Sequence, residues 1–273
     1  RERQSERRLA AKTATKRAGM RISFSEPRKN CWNCCCKGHL AGEKPMRKIL
    51  FCDIDGTLVH GDSLYSLRDW EALGRMRKAG HLIVYCTARN RREAYSVIQR
   101  FHLPYDYLIL NNGSQIEDRA GLELYNHPLS HDLGMEILRF CRNYLGYYLY
   151  FQGSGEKTDC GIRNELADCV SSETEERGEK AFWEAAKRAE AYNMIGIKPY
   201  GKNAKLSKLV GIAGDIRQRY GAEVKVSLNT LSLAVTAKAQ TKATAMVKLL
   251  SFMGQPLKVY CIGDSCNDTC MFC

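Results

Sequence analysis

The sequence predicts an α/β protein: a parallel sheet layered with helices and opened by an α+β insert. Three observations predict it. Between Lys48 and Leu110, short apolar runs of strand length alternate with segments of helical periodicity. This is the β-α-β order of a parallel sheet with right-handed crossovers. After Asn111-Asn112-Gly113 the pattern changes to hairpins and separate helices, and from Thr241 a helix and another apolar strand resume.

The first element is Lys48-Ile-Leu-Phe-Cys-Asp53, an apolar run between polar residues, as a buried parallel strand requires. Leu64–Gly80 carries apolar residues at Leu64, Leu67, Trp70 and Leu73, a helical spacing, and Gly80 is a C-terminal stop. His81–Cys86 is a second buried strand, Arg91–Phe101 a helix and Tyr105–Leu110 a third strand. Ser114–Glu117 and Leu122–Asn126 form a hairpin around Arg119-Ala120-Gly121. Leu133–Leu145 is a helix, Tyr147–Phe151 a strand, Glu173–Ala191 a charged helix and Met194–Ile197 a short strand. Leu206–Tyr220 is a helix, and Val224–Ser227 with Leu231–Val235 a second hairpin. Thr241–Met253 is a helix and Leu257–Ile262 a fourth parallel-type strand, ending at Gly263-Asp264.

Composition narrows the function classes. The 273 residues suffice for two domains, and 44% hydrophobic with 26% charged content is ordinary for a globular chain. No apolar run is long enough to cross a bilayer and no secretory signal opens the chain, so no membrane partner is expected. The net charge of +12 is uneven: residues 1–46 hold 12 Lys or Arg against 4 Asp or Glu. The basic character belongs mainly to this leader, read as a solvated, disordered arm, and nucleic acid is not an expected partner of the body. Thirteen cysteines without framework spacing imply reduced thiols and a cytoplasmic location.

Chemistry-bearing residues recur where strands end, the place where open α/β sheets bind ligands. Phe51-Cys-Asp53-Ile-Asp55-Gly-Thr-Leu58 sends two carboxylates off the first strand into a Gly-Thr turn. A phosphate monoester is a dianion, so carboxylates can approach it only across a cation such as Mg²⁺. At Cys86-Thr87-Ala88-Arg89 a hydroxyl and nearby backbone N–H groups can hold a phosphoryl oxygen, although a Thr at such a position, taken alone, is more often a helix N-cap. Lys242 opens the helix before the fourth strand; alone it reads as a surface lysine. In Gly263-Asp264-Ser-Cys-Asn267-Asp268, a helix would put Asp264 and Asp268 on one face as a hard-cation site.

Together, in this order, these motifs resemble those of the haloacid dehalogenase (HAD) superfamily. The long insert resembles a type IIB cap, and Tyr107–Ile116 resembles the core-to-cap junction of the Cof-type branch. The resemblance spans residues 47–273. It implies a Rossmann-like three-layer core from 47–112 and 237–273, with an α+β cap over 113–236. It further implies a phosphatase acting on small phosphorylated metabolites, sugar phosphates or phosphorylated cofactors. Asp53 is then the nucleophile and Asp55 the general acid/base. Thr87, Ala88, Lys242 and Asn267 bind phosphate. Asp53, Asp55 (through its backbone carbonyl), Asp264 and Asp268 form the Mg²⁺ site. Arg89 and Asn112 are candidates for substrate contact, against an ion-pair role for Arg89 and a turn role for Asn112. A phosphotransferase or sugar phosphomutase using the same aspartyl-phosphate is the nearest alternative.

Two departures qualify the expectation. Ala237–Thr241 lacks the Pro/Gly turn usual in that branch. Family members also continue beyond the fourth motif with another strand and helices, so the C-terminal part of the core is expected to be missing. A reading from another class rests on Cys31-Trp-Asn-Cys34-Cys-Cys-Lys-Gly-His39, which resembles a zinc knuckle. Its fourth ligand position is Lys44, and a nucleic-acid-binding protein with an inactive phosphatase body would follow if zinc were held there.

Overall fold

The computed structural model describes residues 46–59, 66–144, 146–154, 160–164, 172–199, 206–228 and 232–272. The basic leader, its Cys31–His39 pattern and the start of the first helix at Leu64 lie outside the described residues.

The first layer system follows the expected order. It runs β1 (Lys48–Cys52), α1 (Leu67–Lys78), β2 (Leu82–Cys86), α2 (Arg91–Arg100), β3 (Tyr107–Leu110), β4 (Gln115–Asp118) and β5 (Glu123–Asn126). The insert contains β6 (Leu129–Ser130), α3 (His131–Cys141), β7 (Tyr147–Gly153), β8 (Cys160–Asn164) and α4 (Ser172–Arg188). It continues through β9 (Ala191–Pro199), α5 (Leu206–Tyr220), β10 (Val224–Leu228) and β11 (Leu233–Ala237). The chain then returns through α6 (Lys242–Met253) and β12 (Lys258–Ile262) to a 3-10 helix at Cys266–Phe272.

The core sheet has the order β12-β1-β2-β3-β4-β5, with its first four strands parallel. β1, β2 and β3 are apolar along nearly their whole length because both faces are covered, whereas the edge strand β12 is partly exposed. Leu50, Cys52, Ile83, Tyr85, Leu108 and Leu110 pack under α1 and α2 with Leu73 and Ile98. The alternate residues Ile49, Phe51, Leu82, Val84, Cys86 and Ile109 pack against Ala245, Met246 and Leu249 of α6. The strand period of two thus sorts one sequence into two cores.

The hairpin expected to open the insert belongs to this sheet instead. Asn111 and Asn112 adopt left-handed conformations, with φ of 53° and 55°, and Gly113 follows at 105°. This tight reversal folds β4 back antiparallel on β3, pairing Leu110 with Gln115 and Tyr107 with Asp118. Gly113 is required: a Cβ there would lie 2.2 Å from the carbonyl oxygen of Thr241.

The second sheet, β10-β11-β9-β7-β8 with β6 on β9, runs from Leu129 to Ala237. Its helices α3, α4 and α5 cover one face and bury Leu149, Phe151, Ile195 and Val235. Phe151 meets Phe182 and Tyr192 edge-on at 5.3 Å, a favoured aromatic geometry. Two strands were not foreseen. Cys160-Gly-Ile-Arg-Asn164 is an edge strand without clear alternation, and Leu129–Ser130 is only two residues long. The last hairpin's second strand lies two residues later than the apolar pattern suggested, at Leu233–Ala237. Among the described residues the chain crosses between sheets at 127–128 and at 238–241. Tyr125, just before the first crossing, donates from its Oη to Oε1 of Gln240 in the second at 3.4 Å.

Candidate active site

The site is assembled at the carboxyl ends of β1, β2 and β12. The Asp53 N–H donates to Ile262 O at 2.9 Å and ties the end of β1 to β12. The chain then turns sharply, with Leu58 and Val59 N–H both donating to Ile54 O at 2.9 Å. Gly56 makes the turn at φ 85°, and a Cβ there would stand 2.2 Å from Asp264 Oδ2, so only glycine lets the two loops close. Thr57 bridges them: its Oγ1 lies 3.4 Å from Asp53 Oδ2 and 3.3 Å from Asp264 Oδ1.

Lys242 is not a surface lysine. It is 1% exposed, and its Nζ donates to Asp53 Oδ1 and Asp268 Oδ1, both at 2.6 Å. The Thr241–Thr244 capping box sets the start of α6 and thereby the lysine's position. Burial pulls the Lys242 pKa down, but the two carboxylates outweigh it and the net shift is upward. Burial also raises the Asp53 pKa, against the pull of Lys242.

Asp268 does not share an α-helical face with Asp264, because the segment is a 3-10 helix. Its Oδ2 accepts from the Asp264 and Ser265 N–H groups at 3.2 and 3.0 Å and from Ser265 Oγ at 3.0 Å. With Oδ1 on Lys242, Asp268 braces both the lysine and the loop that presents Asp264. Carboxylate oxygens of Asp53, Asp264 and Asp268 lie within 4.8 Å of one another, a hard donor set suited to a divalent cation. Three carboxylates against a single ammonium leave the excess negative charge that such a cation neutralises.

The remaining candidates divide. Arg89 grips Asp55 with both arms of its guanidinium, Nε to Oδ2 at 2.8 Å and Nη2 to Oδ1 at 2.7 Å. It is therefore an ion-pair partner, in a bidentate geometry of the strong kind. Thr87 is fully buried and does not cap α2; Asn90 does, accepting from Glu93 N at 2.7 Å. Thr87 Oγ1 instead accepts from Arg89 N at 3.1 Å. Asn112 is a buried turn residue whose N–H donates to Thr87 O at 3.0 Å and whose Oδ1 accepts from Asn267 Nδ2 at 3.1 Å. A cavity of about 350 Å³ is lined by Asp53, Asp55, Ala88, Arg89, Asp264 and Asn267, whereas Thr87, Asn112, Lys242 and Asp268 stand behind this wall. A larger cavity of about 680 Å³, beside Trp70 and His81, opens at the opposite strand ends and holds none of these residues.

Sequence reasoning missed Thr57 and Ser265, which lay inside the quoted motifs, and the residues that the insert contributes to the cavity: Tyr150, Lys198 and Ser232. The first two were findable as hydroxyls between carboxylates. The others carry no local signal. The cysteines behind the site, Cys52 and Cys86, are free, buried thiols with pKa values pushed up by burial. Among the described residues, no helix is long and apolar enough to cross a membrane.

A three-layer parallel core, an antiparallel cap and a carboxylate–lysine cluster at the strand ends define an enzyme of the phosphatase class with type IIB architecture. The family model for haloacid dehalogenase-like hydrolases matches residues 50–273, and the chain belongs to that family. It is similar to the 5-amino-6-(5-phospho-D-ribitylamino)uracil phosphatase of Bacillus subtilis, 24% identical over 255 residues, covering 82% of this chain and 84% of that one. A shorter match, 32% over 93 residues and 34% of each chain, is to the HMP-PP phosphatase of Klebsiella pneumoniae. In three dimensions it resembles the HAD subclass IIB sugar phosphatase BT4131, at a TM-score of 0.61, 20% identity, 82% of this chain and 83% of that one. TM0651 from Thermotoga maritima fits at 0.62 with 15% identity and 83% of each chain.

Proposed function

We propose that the protein is a Mg²⁺-dependent phosphatase that hydrolyses small phosphomonoesters through an aspartyl-phosphate. One observation carries the reading: a buried ammonium clamped between Asp53 and Asp268, directly behind a cavity that Asp53 and Asp264 line. The two phosphatases from Bacillus subtilis and Klebsiella pneumoniae and the sugar phosphatase BT4131 are named for action on small phosphorylated molecules, which supports the same substrate class here.

Asp53, Asp264 and the Asp55 carbonyl would hold the metal, with Asp268 bracing them from behind. When bound, Mg²⁺ supplies the positive charge that lets a phosphate dianion approach these carboxylates. An Asp53 carboxylate oxygen attacks phosphorus, forming the acyl phosphate as the P–O bond to the leaving group breaks. The leaving oxygen takes its proton from Asp55, which then removes a proton from the water that attacks phosphorus and releases phosphate and free Asp53. Lys242, 2.6 Å from Asp53, offsets the charge gathering on the transferring group. Ala88 and Asn267 line the cavity, where the backbone of the one and the amide of the other would orient phosphoryl oxygens. In the resting site Arg89 holds Asp55 as a carboxylate, so proton delivery requires the guanidinium to release it.

The test is turnover of p-nitrophenyl phosphate with and without Mg²⁺ by the wild-type protein and Asp53→Asn. Mg²⁺-dependent turnover that the variant loses, while keeping its cooperative melting, is expected. Near-normal hydrolysis by Asp53→Asn would remove the nucleophile assignment.

A further inference from the structure

The face of the second sheet turned away from its helices carries features that the phosphate chemistry does not use. Along β7, Tyr147, Leu149 and Phe151 enter the core beneath the helices, so Tyr148 and Tyr150 project to the other side. Their ring centres are 5.8 Å apart and their planes differ by 21°, giving one nearly flat aromatic floor. Two glycines make room for it. A Cβ at Gly161 of β8 would lie 2.1 Å from Tyr148 Oη, and one at Gly196 of β9 would lie 2.1 Å from Tyr150 Cζ. Any side chain at either position would push the rings off the sheet. Lys198 holds its ammonium 4.8 Å from the centre of the Tyr150 ring.

This floor lines a cavity of about 440 Å³ whose opposite wall is the first turns of α2, with Arg92, Glu93 and Ser96. It shares Arg89, Glu93, Tyr150 and Lys198 with the cavity over Asp53, so the two chambers adjoin. Gln152 also lines the second chamber. It is 2% exposed, and its Oε1 has no hydrogen-bond partner among the described residues. A buried acceptor without a partner favours any ligand that brings it an N–H.

Resting on the phosphatase reading above, we infer that the substrate is a phosphomonoester carrying a planar, nitrogen-bearing conjugated ring at its far end. The phosphate occupies the chamber over Asp53. The ring lies in the adjoining chamber against the Tyr148–Tyr150 floor, with an N–H or amino group toward Gln152. A flat π-surface recognises a flat ring by stacking, and an acyclic or simple sugar phosphate fills the first chamber alone.

Two matched pairs test this: cytidine 5′-monophosphate against ribose 5-phosphate, and riboflavin 5′-phosphate against ribitol 5-phosphate. Each pair keeps the phosphate arm and differs by the ring. Stacking on one aromatic side chain contributes roughly 10- to 100-fold. The expected result is at least a tenfold higher kcat/KM, carried by KM, for one ring-bearing ester over its ringless partner. Tyr148→Ala is expected to erase that preference and Tyr148→Phe to keep it. If neither ring-bearing ester outperforms its partner, including the case where none is hydrolysed, the ring inference is overturned. The phosphatase reading then still stands on p-nitrophenyl phosphate turnover; loss of that turnover as well sinks both. A preference that survives Tyr148→Ala overturns the role of the floor. The paired comparison in the wild-type protein needs no variant, so a poorly folding Tyr148→Ala leaves the test intact.

Discussion

Replacing Lys242 by methionine probes the most demanding electrostatic arrangement in the molecule. Methionine follows the aliphatic stem but leaves Asp53 and Asp268, 4% and 0% exposed, facing each other without a counter-ion. Their nearest oxygens lie within 4.8 Å. Two unit charges at that distance repel by about 3 kcal/mol at an effective dielectric of 20. Breaking a buried ion pair by removing one partner typically costs about 3–5 kcal/mol. The two routes agree, and in a chain of this size each kcal/mol moves Tm by about 2–4 °C. Lys242→Met is therefore expected to melt about 6–20 °C below wild type in a metal chelator, followed by calorimetry. Adding Asp268→Asn should restore more than half of the loss. The asparagine removes the second charge, and its carbonyl still accepts from the Asp264 and Ser265 N–H groups. A single variant that melts within 3 °C of wild type, or a double variant no more stable than the single, would show that Lys242 is not the counter-ion that holds the two buried carboxylates together.

Gly56→Ala strains a left-handed position and drives a methyl into Asp264, so the Mg²⁺ concentration for half-maximal turnover should rise at least tenfold; an unchanged Mg²⁺ dependence counts against that carboxylate as a ligand. Mg²⁺ at 100 times its Kd should stabilise the protein by about 2.7 kcal/mol over the chelated form, readable as a higher Tm, and no shift would count against the metal site. In the cap, the hydrogen bond from Arg142 lowers the Glu179 pKa from 4.5, with burial opposing it and Trp183 assisting. A depressed acid stabilises the fold above its unfolded pKa and loses that contribution as pH falls through the folded value. Glu179→Gln should thus cost at most about 1 kcal/mol at pH 7, since the pair is partly exposed, and the gap from wild type in urea melts should close between pH 5 and pH 3.

Much of the core was legible because its information is local. Both faces of β1 and β2 are buried, so Lys48–Cys52 and Leu82–Cys86 announce themselves as apolar runs, with Asp53 and Thr87 directly at their ends. Helix starts were legible less evenly. Thr87 and Asn90 both suit a cap, and only backbone geometry decides for Asn90. The Arg89–Asp55 pair and the depth of Lys242 were beyond reach because each joins segments far apart in the chain. The hairpin's allegiance was hidden for a different reason. Two asparagines in left-handed conformations turn β4 back onto β3, and their conformation is set by the sheet edge they join. Tyr148 and Lys198 belong to strands whose existence could be read but whose outward face acquires meaning only once the insert docks.

The crossings at 127–128 and 238–241, linked by the Tyr125–Gln240 hydrogen bond, divide the labour of the two sheets. The aromatic floor is built from the stretch between the crossings. The ammonium and its paired carboxylates, Asp53, Lys242 and Asp268, all come from the stretches outside it, so the charged clamp is made without any residue of the insert.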